Sequence, residues 1–573
     1  METKNCVSCK KDFNIEEEDF DFYKKISVPA PTWCPDCRLQ RRLTFRNERT
    51  LYKRPCGLCG KDTISMYCPE KGMVNYCSEC WWSDKWNSMD FGMNYDFSKS
   101  FFKQFSELMK KVPHQNLVVS YKTLENTSFT NMNHYLKNCY YLFNSDYNER
   151  CMFGEELEHC TECLDVTMAE NTQLAYESVN CNKCYQIYYS VDCESSHDVW
   201  FSKNLVGCSN CFGCVNLRNQ QYYIFNEKCD KEEYKKKIEE LTSGTHSIIE
   251  EIKEKALDFW NKFPNKYMHG IQNFESNGDY VFNSKYVKNS FIIKNSEYCK
   301  YCMWLIVKNN KECYDFTQFG ENTERVYESL VCGSNINNII GSVNVLESRD
   351  IRYSMFSFNS NSNLFGCIGM RNKQYCILNK QYTKEEYEKL VPKIIEHMNN
   401  MPYVDTKGRT YVYGDFFPTE ISQFNYNETT AQEFFPLVKE EAEKMGFSWK
   451  EPKERNYKIT IRAKELPNDI KDVKDDITSE IIGCEHEGNC KEQCTTAFKI
   501  LESELQFYKS QNLPLPRLCP NCRHYQRVSK RNPNKLWFRK CMKEGCSNEF
   551  ETSYYPERPE IVYCEKCYQQ EVY

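Results

Sequence analysis

The chain has 573 residues, 35 of them cysteines, and a net charge of -6. This length exceeds what one hydrophobic core supports and predicts roughly three to five domains. The opening residues, METKNCVSCK, lack the apolar stretch of a secretory signal, and no run reaches the length of a membrane span. We therefore expect a cytoplasmic protein with no membrane partner. There, Cys-x-x-Cys pairs more often bind metal than form disulfides.

The first predicted domain, residues 1–97, is a double zinc-ribbon or treble-clef module. Its candidate metal ligands form four pairs: Cys6 and Cys9, Cys34 and Cys37, Cys56 and Cys59, and Cys77 and Cys80. Four pairs make two closed four-cysteine sites, which is typical of structural zinc. We favour sequential over interleaved pairing, and Cys68 is left over as a small buried residue. Disulfides and iron–sulfur ligation are the alternatives.

A basic helix is predicted directly after Cys34, in the string CPDCRLQRRLTFRNER. Arg38, Arg42, Arg46 and Arg49 recur at four- and three-residue steps, which places them on one helix face. Guanidinium groups match phosphate oxygens, and nearby aromatic residues offer stacking surfaces to bases. This face predicts nucleic-acid binding, with RNA slightly preferred. The alternatives are a solvated face, or one that docks on the acidic middle of the chain, since residues 115–225 hold thirteen acidic and six basic residues.

The second domain, residues 98–243, is predicted to be rich in strands. After an amphipathic helix over 98–112, short runs of Tyr, Phe, Val, Ile and Cys alternate with Asn, Ser, Asp and Gly. Cys160 and Cys163 lie 21 residues before Cys181 and Cys184, a plausible length for one coil. We predict a β-solenoid-like unit. A sandwich of antiparallel strands is the alternative. The unit closes with a helix capped by Asp230.

The third domain, residues 244–400, repeats the second after a connector helix. ENTQLAYES at 170–178 returns as ENTERVYES at 321–329, and FGCVNLRNQQYYIFN at 212–226 returns as FGCIGMRNKQYCILN at 365–379. The second copy closes with a helix capped by Thr383. It also replaces CSNCFGC by NSNLFGC. A required metal site would not vanish between copies, so the central cysteines are predicted to be core atoms, with a redox or iron–sulfur role as the alternative.

The last two domains are a mixed helix and strand linker, residues 401–483, and a second double zinc-ribbon module, residues 484–573. An offset of 485 residues carries CPDCRLQRR onto CPNCRHYQR, so the module is duplicated, and the arginines Arg523, Arg527 and Arg531 stay in register. Its candidate metal ligands are Cys490 and Cys494, Cys519 and Cys522, Cys541 and Cys546, and Cys564 and Cys567. Cys484 is left over.

The terminal modules resemble treble-clef or zinc-ribbon fingers in their ligand pattern. The strings WCPDCRLQRRLTFRNER, CSECWWSDKW and YGDFFPTEIS resemble an uncharacterised family of cysteine-rich proteins from uncultivated, small-genome bacteria, across nearly the whole chain. That resemblance implies no activity, ligand or partner.

The predicted fold class is mainly β with α: tandem solenoid-like units flanked by zinc modules. No nucleophile elbow, phosphate loop, dinucleotide fingerprint or zincin helix is present. We therefore predict a non-enzymatic, nucleic-acid-binding protein with about four structural Zn²⁺ ions. A protein–protein scaffold built on the solenoid is the first alternative, and a redox or iron–sulfur protein is the second.

Overall fold

The computed structural model describes residues 1–451 and 457–572, so residues 452–456 of the predicted linker and residue 573 lie outside the described residues. Both ends of the chain share one order of elements: two strands, two helices, three strands and a helix. At the N-terminus these are Glu2–Asn5, Asp12–Ile15, helices Glu17–Lys25 and Pro35–Leu43, Tyr52–Pro55, Asp62–Ser65, Asn75–Tyr76 and helix Ser78–Trp81. At the C-terminus they are Ile482–Gly483, Ala497–Phe498, helices Glu502–Ser510 and Pro520–Val528, Trp537–Lys540, Glu549–Thr552, Val562–Tyr563 and helix Glu565–Val572.

Two strand-rich units lie between these modules, and each starts and ends with a helix. The first unit has helix Phe101–Lys111, strands His114–Gln115, Leu124–Glu125, Asn131–Lys137, Phe143–Glu149, Glu155–Glu158, Thr167–Glu170, Gln173–Tyr176, Val179–Asn182, Tyr185–Tyr188, His197–Trp200, Ser209–Phe212, Gln221–Ile224 and Glu227–Lys228, and helix Lys231–Leu241. The second has helix His246–Trp260, strands Asn265–Lys266, Gly270–Ile271, Gly278–Phe282, Ser290–Lys294, Ser296–Glu297, Met303–Leu305, Asn310–Gly320, Thr323–Gly333, Asn337–Ile340, Val343–Val345, Arg349–Arg352, Met355–Ser357, Ser362–Phe365, Gln374–Ile377 and Lys380–Gln381, and helix Lys384–Asn400.

The segment that follows the second unit holds small elements only. They are strands Tyr403–Val404, Thr410–Tyr411 and Ile461–Arg462, and helices Thr430–Phe434 and Lys439–Lys444. The chain is therefore sheet-rich with helices, as predicted for its class. Among all the helices of residues 1–451 and 457–572, none is both long enough and apolar enough to cross a membrane.

From Leu124–Glu125 to Gln221–Ile224, the strands of the first unit pair in parallel with a register of twelve residues, and only the closing pair with Glu227–Lys228 is antiparallel among these described strands. Tyr185 lies opposite His197, and His197 lies opposite Ser209. Parallel pairing is incompatible with the antiparallel sandwich considered from the sequence. The register also replaces the expected repeat of 21 residues.

A three-residue period underlies this register. From Asn126 to Phe225, every third residue has a positive φ, in the left-handed region that side chains other than Asn, Asp and Gly rarely adopt. Four such three-residue segments make the twelve-residue register. The cysteines of this stretch directly follow positive-φ residues; they are Cys139, Cys151, Cys160, Cys163, Cys181, Cys184, Cys193, Cys208, Cys211 and Cys214. Their Cys-x-x-Cys spacing is therefore the period of the fold.

These central cysteines are buried and occupy the same kind of position as serines. Cys193 is 1% exposed, and its thiol lies 3.5 Å from the carbonyl oxygen of Val191 and 3.8 Å from that of Ser202. Three residues earlier, the Ser190 hydroxyl donates to the Tyr188 carbonyl at 2.9 Å. A small inward side chain that donates to the backbone is what the position requires, because buried carbonyl groups need partners. The burial agrees with the prediction that these sulfurs are core atoms.

We expect Cys193→Ser to be tolerated, because a hydroxyl can make the bonds that Ser190 makes. The midpoint of thermal unfolding should change by only a few degrees, which corresponds to about 1 kcal/mol. Cys193→Leu, which adds volume to a packed position, should lower the midpoint clearly further. Loss of bound metal or of folding in Cys193→Ser would contradict the core assignment.

Candidate metal centres and the arginine helices

Four groups of four cysteines bring their sulfur atoms together. They are Cys6, Cys9, Cys34 and Cys37; Cys56, Cys59, Cys77 and Cys80; Cys484, Cys494, Cys519 and Cys522; and Cys541, Cys546, Cys564 and Cys567. The sulfur atoms of Cys9 and Cys34 are 3.7 Å apart. Thiolates bound tetrahedrally to one ion at about 2.3 Å lie about 3.8 Å apart, whereas disulfide sulfurs lie about 2 Å apart. Each group could hold a metal ion, and the predicted sequential pairing is confirmed in the N-terminal module.

One local geometry builds all four groups. The first cysteine follows a strand of a hairpin, and the third cysteine is the residue before a helix. In the first group the backbone N–H of Cys34 donates to the sulfur of Cys6 at 3.2 Å. The third cysteines Cys77, Cys519 and Cys564 donate in the same way to Cys56, Cys484 and Cys541, at 3.2, 3.3 and 3.4 Å. Such N–H bonds stabilise thiolates, the form that binds metal.

The ligand set of the third group differs from the sequence prediction. We predicted Cys490 as a ligand and Cys484 as the unused cysteine, but Cys484 occupies the tetrad. Cys484 directly follows strand Ile482–Gly483, as Cys6 follows strand Glu2–Asn5, so the hairpin fixes its position. The spacing rule failed because the hairpin loop is longer here: the Cys484 N–H donates to Thr496, whereas the Cys6 N–H donates to Lys11.

Cys490 lies beside the tetrad, with its sulfur 3.7 Å from that of Cys522. With His486, Glu492 and Cys522 it forms a further group whose ligand atoms lie within 4.8 Å of one another. The tetrad is complete without Cys490.

The predicted nucleic-acid face is buried inside the protein. Of the seven arginine side chains, none is more than 10% exposed, and each has a carboxylate within 4.0 Å. The pairs are Arg38 and Arg42 with Asp315, Arg46 with Glu48, Arg49 with Glu155, Arg523 and Arg527 with Asp165, and Arg531 with Glu156. This burial argues against the prediction that these arginines bind a phosphate backbone, because their guanidinium groups are already paired with carboxylates. Except for Arg46, which pairs within its own module, they dock on acidic residues of the two units. The alternative of docking on the acidic residues 115–225 agrees with the partners of Arg49, Arg523, Arg527 and Arg531, whereas Arg38 and Arg42 dock on Asp315 outside that range.

The N-terminal arginine helix docks on the second unit. Arg38 and Arg42 contact the two carboxylate oxygens of Asp315 at 2.9 and 3.1 Å. The Arg42 Nε also donates to the Thr317 hydroxyl at 3.2 Å. Burial disfavours the charged guanidinium of Arg38, but Asp315 offsets this effect and holds the pKa of Arg38 well above its ordinary value.

The C-terminal arginine helix makes the same contacts with the first unit. Arg523 and Arg527 contact the two carboxylate oxygens of Asp165 at 3.0 and 2.7 Å. The Arg527 Nε lies 3.3 Å from the Thr167 hydroxyl. Although burial again disfavours the charge, Asp165 holds the pKa of Arg523 well above its ordinary value. One Asp-x-Thr sequence in each unit therefore receives one pair of arginines.

Aromatic contacts are duplicated at the same interfaces. The rings of Tyr23 and Tyr327 lie 5.6 Å apart at 63°, and those of Tyr508 and Tyr176 lie 5.6 Å apart at 75°. The offset of 485 relates Tyr23 to Tyr508, and the repeated ENT strings relate Tyr176 to Tyr327. Edge-to-face packing of this kind adds to the area that each interface buries.

The two modules also meet each other on the first unit. Arg49 of the N-terminal module and His524 of the C-terminal module both reach Oε2 of Glu155, at 3.3 and 3.2 Å. His524 is fully buried, which lowers its pKa well below the ordinary value. Glu155, by contrast, has its pKa raised by burial and by nearby Glu433. The ends of the chain are thus joined through one shared carboxylate.

The docking carboxylates have a signal in the sequence that the predictions did not use. CLDVTMAENT at 163–172 matches CYDFTQFGENT at 313–323 once one inserted residue is allowed. Extending the recognised ENT repeat upstream would have found Asp165 and Asp315. Their partners on the arginine helices could not have been inferred, because the match does not say which module meets which unit.

Comparisons with known proteins identify no family. No family model matches the chain, and no curated protein matches it. A solved structure, that of a putative acetyltransferase from Desulfovibrio desulfuricans G20, aligns at 9% identity over 52% of this chain and 86% of its own, with a TM-score of 0.10. A likeness this weak carries no argument about fold or function. The resemblance to a family of cysteine-rich bacterial proteins stays a prediction.

Replacing Cys484 by serine should lower the bound metal by one ion per chain, because Cys484 completes the third group. Cys490→Ser is the matched control and should keep the full count. Elemental analysis of the purified proteins measures both. A loss of metal in Cys490→Ser together with retention in Cys484→Ser would restore the ligand set predicted from the sequence.

Replacing Arg42 or Arg527 by alanine should destabilise the protein by about 3–5 kcal/mol, because each change removes one of the two arginines that pair with a buried aspartate, Asp315 or Asp165. The midpoint of urea unfolding measures this. The double variant Arg42→Met with Asp315→Asn should recover part of the loss, because it removes one charge of each sign and leaves Arg38 3.9 Å from the carboxylate of Glu328. Lys53→Ala, which breaks an exposed pair with Asp62, is the control and should change stability by less than about 1 kcal/mol. Unchanged stability with reduced nucleic-acid affinity would return these arginines to the phosphate hypothesis.

Proposed function

We propose that this chain is a non-enzymatic protein scaffold. In this proposal, four structural Zn²⁺ ions hold the terminal modules in shape, and the modules clamp two β-solenoid-like units together. The units then present duplicated pairs of stacked surface tyrosines to a protein partner. The observation that carries the proposal is that these tyrosine pairs recur at equivalent positions of both units. A cytoplasmic location remains part of the prediction.

The tyrosine pairs are stacked on the outer surface. The rings of Tyr135 and Tyr147 lie 4.7 Å apart and nearly parallel, at 7°. In the second unit the rings of Tyr286 and Tyr298 lie 4.9 Å apart at 12°. Twelve residues separate the members of each pair, so the strand register stacks them. Tyr135, Tyr147 and Tyr298 are 53%, 47% and 48% exposed.

The duplication maps one pair onto the other. The string YLKN beginning at Tyr135 returns as YVKN beginning at Tyr286, and NSDY ending at Tyr147 returns as NSEY ending at Tyr298. Packing in the core does not explain why these large aromatic side chains recur, because they lie on the surface. Exposed tyrosines are favoured at protein interfaces, where they supply contact area with little loss of conformational entropy.

The charges around the first pair favour a protein partner over a nucleic acid. Partial desolvation raises the pKa of Tyr147, and so do the neighbouring Tyr135 and the carboxylates of Asp146, Glu158 and Glu321. Carboxylates at this density repel a phosphate backbone. The arginines that would have attracted phosphate are the buried docking residues.

Zinc is the proposed metal for chemical reasons. Four thiolates in a tetrahedral arrangement are a common structural zinc set, and no ligand position remains open for a substrate or an activated water. Iron–sulfur ligation would use the same residues, so elemental analysis for zinc and iron distinguishes the two. Small modules of this kind gain much of their folding free energy from the metal.

The scaffold proposal predicts that the tyrosine pairs capture a partner. The variant with Tyr135, Tyr147, Tyr286 and Tyr298 all replaced by serine should keep its unfolding midpoint within a few degrees, because three of the side chains are exposed and Tyr286 is only partly buried. It should lose the proteins that co-purify with the parent chain. Affinity purification from nuclease-treated extract, followed by mass spectrometry, measures this.

The matched control is Tyr185→Ser, which removes one exposed tyrosine outside the pairs. Co-purifying proteins should be unchanged in that variant. If the parent chain's partners disappear on nuclease treatment, or if the four-fold serine variant keeps all of them, the scaffold proposal through these pairs is wrong.

A further inference from the structure

The molecule has two similar halves, which differ at one place. The N-terminal half is the N-terminal module with the second unit on which it docks, and the C-terminal half is the C-terminal module with the first unit. In the N-terminal half, the segment of residues 409–417, RTYVYGDFF, packs between the N-terminal module, helix Phe101–Lys111 and the second unit. The C-terminal half has the same three walls: the C-terminal module, helix His246–Trp260 and the first unit. There the space between the walls is a cavity of about 170 Å³, which we call the C-half cavity.

The residues that hold the segment in the N-terminal half are well defined. The Tyr411 ring lies 5.6 Å from that of Trp33 and 6.4 Å from that of Phe102. The Arg41 guanidinium lies over Tyr411 at 5.8 Å and 4.0 Å from the carboxylate of Asp415. Gly414 runs against Pro29, since a Cβ built on Gly414 would lie 2.9 Å from its ring. The walls are therefore Pro29, Trp33, Arg41 and Phe102.

The equivalents of all four wall residues line the C-half cavity. The offset of 485 carries Pro29, Trp33 and Arg41 onto Pro514, Leu518 and Gln526. Asn75 and Val562 are equivalent because each lies two residues before the third cysteine of its group, Cys77 or Cys564. Asn75 pairs with His114 and Val562 pairs with Asn265, so the strands that follow the two helices correspond, and with them the helices. That relation carries Phe102 onto Lys253, which also lines the cavity.

From this correspondence we infer that the C-half cavity binds a peptide segment of a partner protein in the place that residues 409–417 fill in the N-terminal half. This site is separate from the tyrosine pairs and does not depend on the scaffold proposal. The cavity is large enough for one or two side chains of the peptide. The rest of the peptide would lie along the mouth of the cavity, between the module and the helix.

The altered wall residues indicate what chemistry the peptide carries. Phe417 packs against Phe45, Phe102 and Phe105, with ring separations of 5.6, 6.1 and 4.8 Å. The equivalent residues in the C-terminal half are Lys530, Lys253 and Ala256. Two cations thus replace two aromatic rings around the position of Phe417, while Glu177, Glu250 and Glu485 also line the cavity. The peptide residue at that position is acidic, and the remainder of the peptide keeps an aromatic and aliphatic character.

Lys253 forms ion pairs within the fold and can also contact the peptide. Its ammonium group lies 3.0 Å from Glu177 and 2.8 Å from Glu250, and it sits over the Tyr189 ring at 4.8 Å. The side chain is 28% exposed and lines the cavity. An ammonium group has three donors, and an incoming carboxylate can share it.

The test uses the full-length protein and two fluorescent synthetic peptides. One has the sequence of residues 409–417, and the other carries Phe417→Glu. Fluorescence anisotropy should show that the Phe417→Glu peptide binds about tenfold more tightly than the unchanged peptide, and that its affinity falls with added salt. Gln526→Trp fills the mouth from an exposed position and should weaken binding by at least about tenfold. Gln569→Trp, on an exposed position of the last helix, is the matched control and should bind as the parent does.

Lys253→Phe restores one wall of the N-terminal half and should reverse the preference, so that the unchanged peptide binds better. Its thermal unfolding is measured alongside, because a folded variant with reversed preference distinguishes peptide recognition from a loss of structure. The inference is overturned if neither peptide binds up to about 1 mM, or if Gln526→Trp leaves binding unchanged. Self-association of the chain that Gln526→Trp abolishes would assign the cavity to a second copy and would equally overturn it.

Discussion

The structure depends on two buried ion clusters in which an aspartate receives a pair of arginines. Asp165 and Asp315 are fully buried, so their charges cannot be solvated by water. Taking such charges out of water costs several kcal/mol per ion, and only partners with good geometry offset that cost. Each cluster therefore specifies one docked position for its module. One four-cysteine group lies at the start of each arginine helix, and the aspartates fix where those helices dock.

The duplication explains why this arrangement occurs twice. Each module and the unit on which it docks occur twice, and both copies have the same arginine–aspartate interface. Both helices carry the same arginines because in both copies these arginines bind another part of the same chain. The surroundings of the two clusters differ where the chain differs: residues 409–417 cover one of them, and the other is left with a cavity.

Much of the architecture could be predicted from the sequence, and the failures have physical causes. The cysteine pairs, the duplicated modules and the helix caps were readable because their signals are local. The three-residue period was missed because left-handed residues such as Tyr189 and Phe201 give no propensity signal, and their cost is met only by stacking. Cys484 was missed because its role depends on a hairpin and not on spacing. The burial of Arg42 was unpredictable locally, since its partner lies 273 residues away.

The N-terminal module docks on the second unit and the C-terminal module docks on the first. This crossed arrangement has a consequence for the synthesis of the protein. The N-terminal arginine helix leaves the ribosome long before Asp315 is synthesised. Asp165, in turn, is synthesised 362 residues before its partner Arg527 of the C-terminal helix. Domains generally fold in order of synthesis, at about 5–20 residues per second, so Arg38 and Arg42 stay solvated for tens of seconds. During that interval the nascent chain carries an unneutralised basic helix beside ribosomal RNA. The same arginines that are inaccessible in the finished protein are thus a transient polycation during translation.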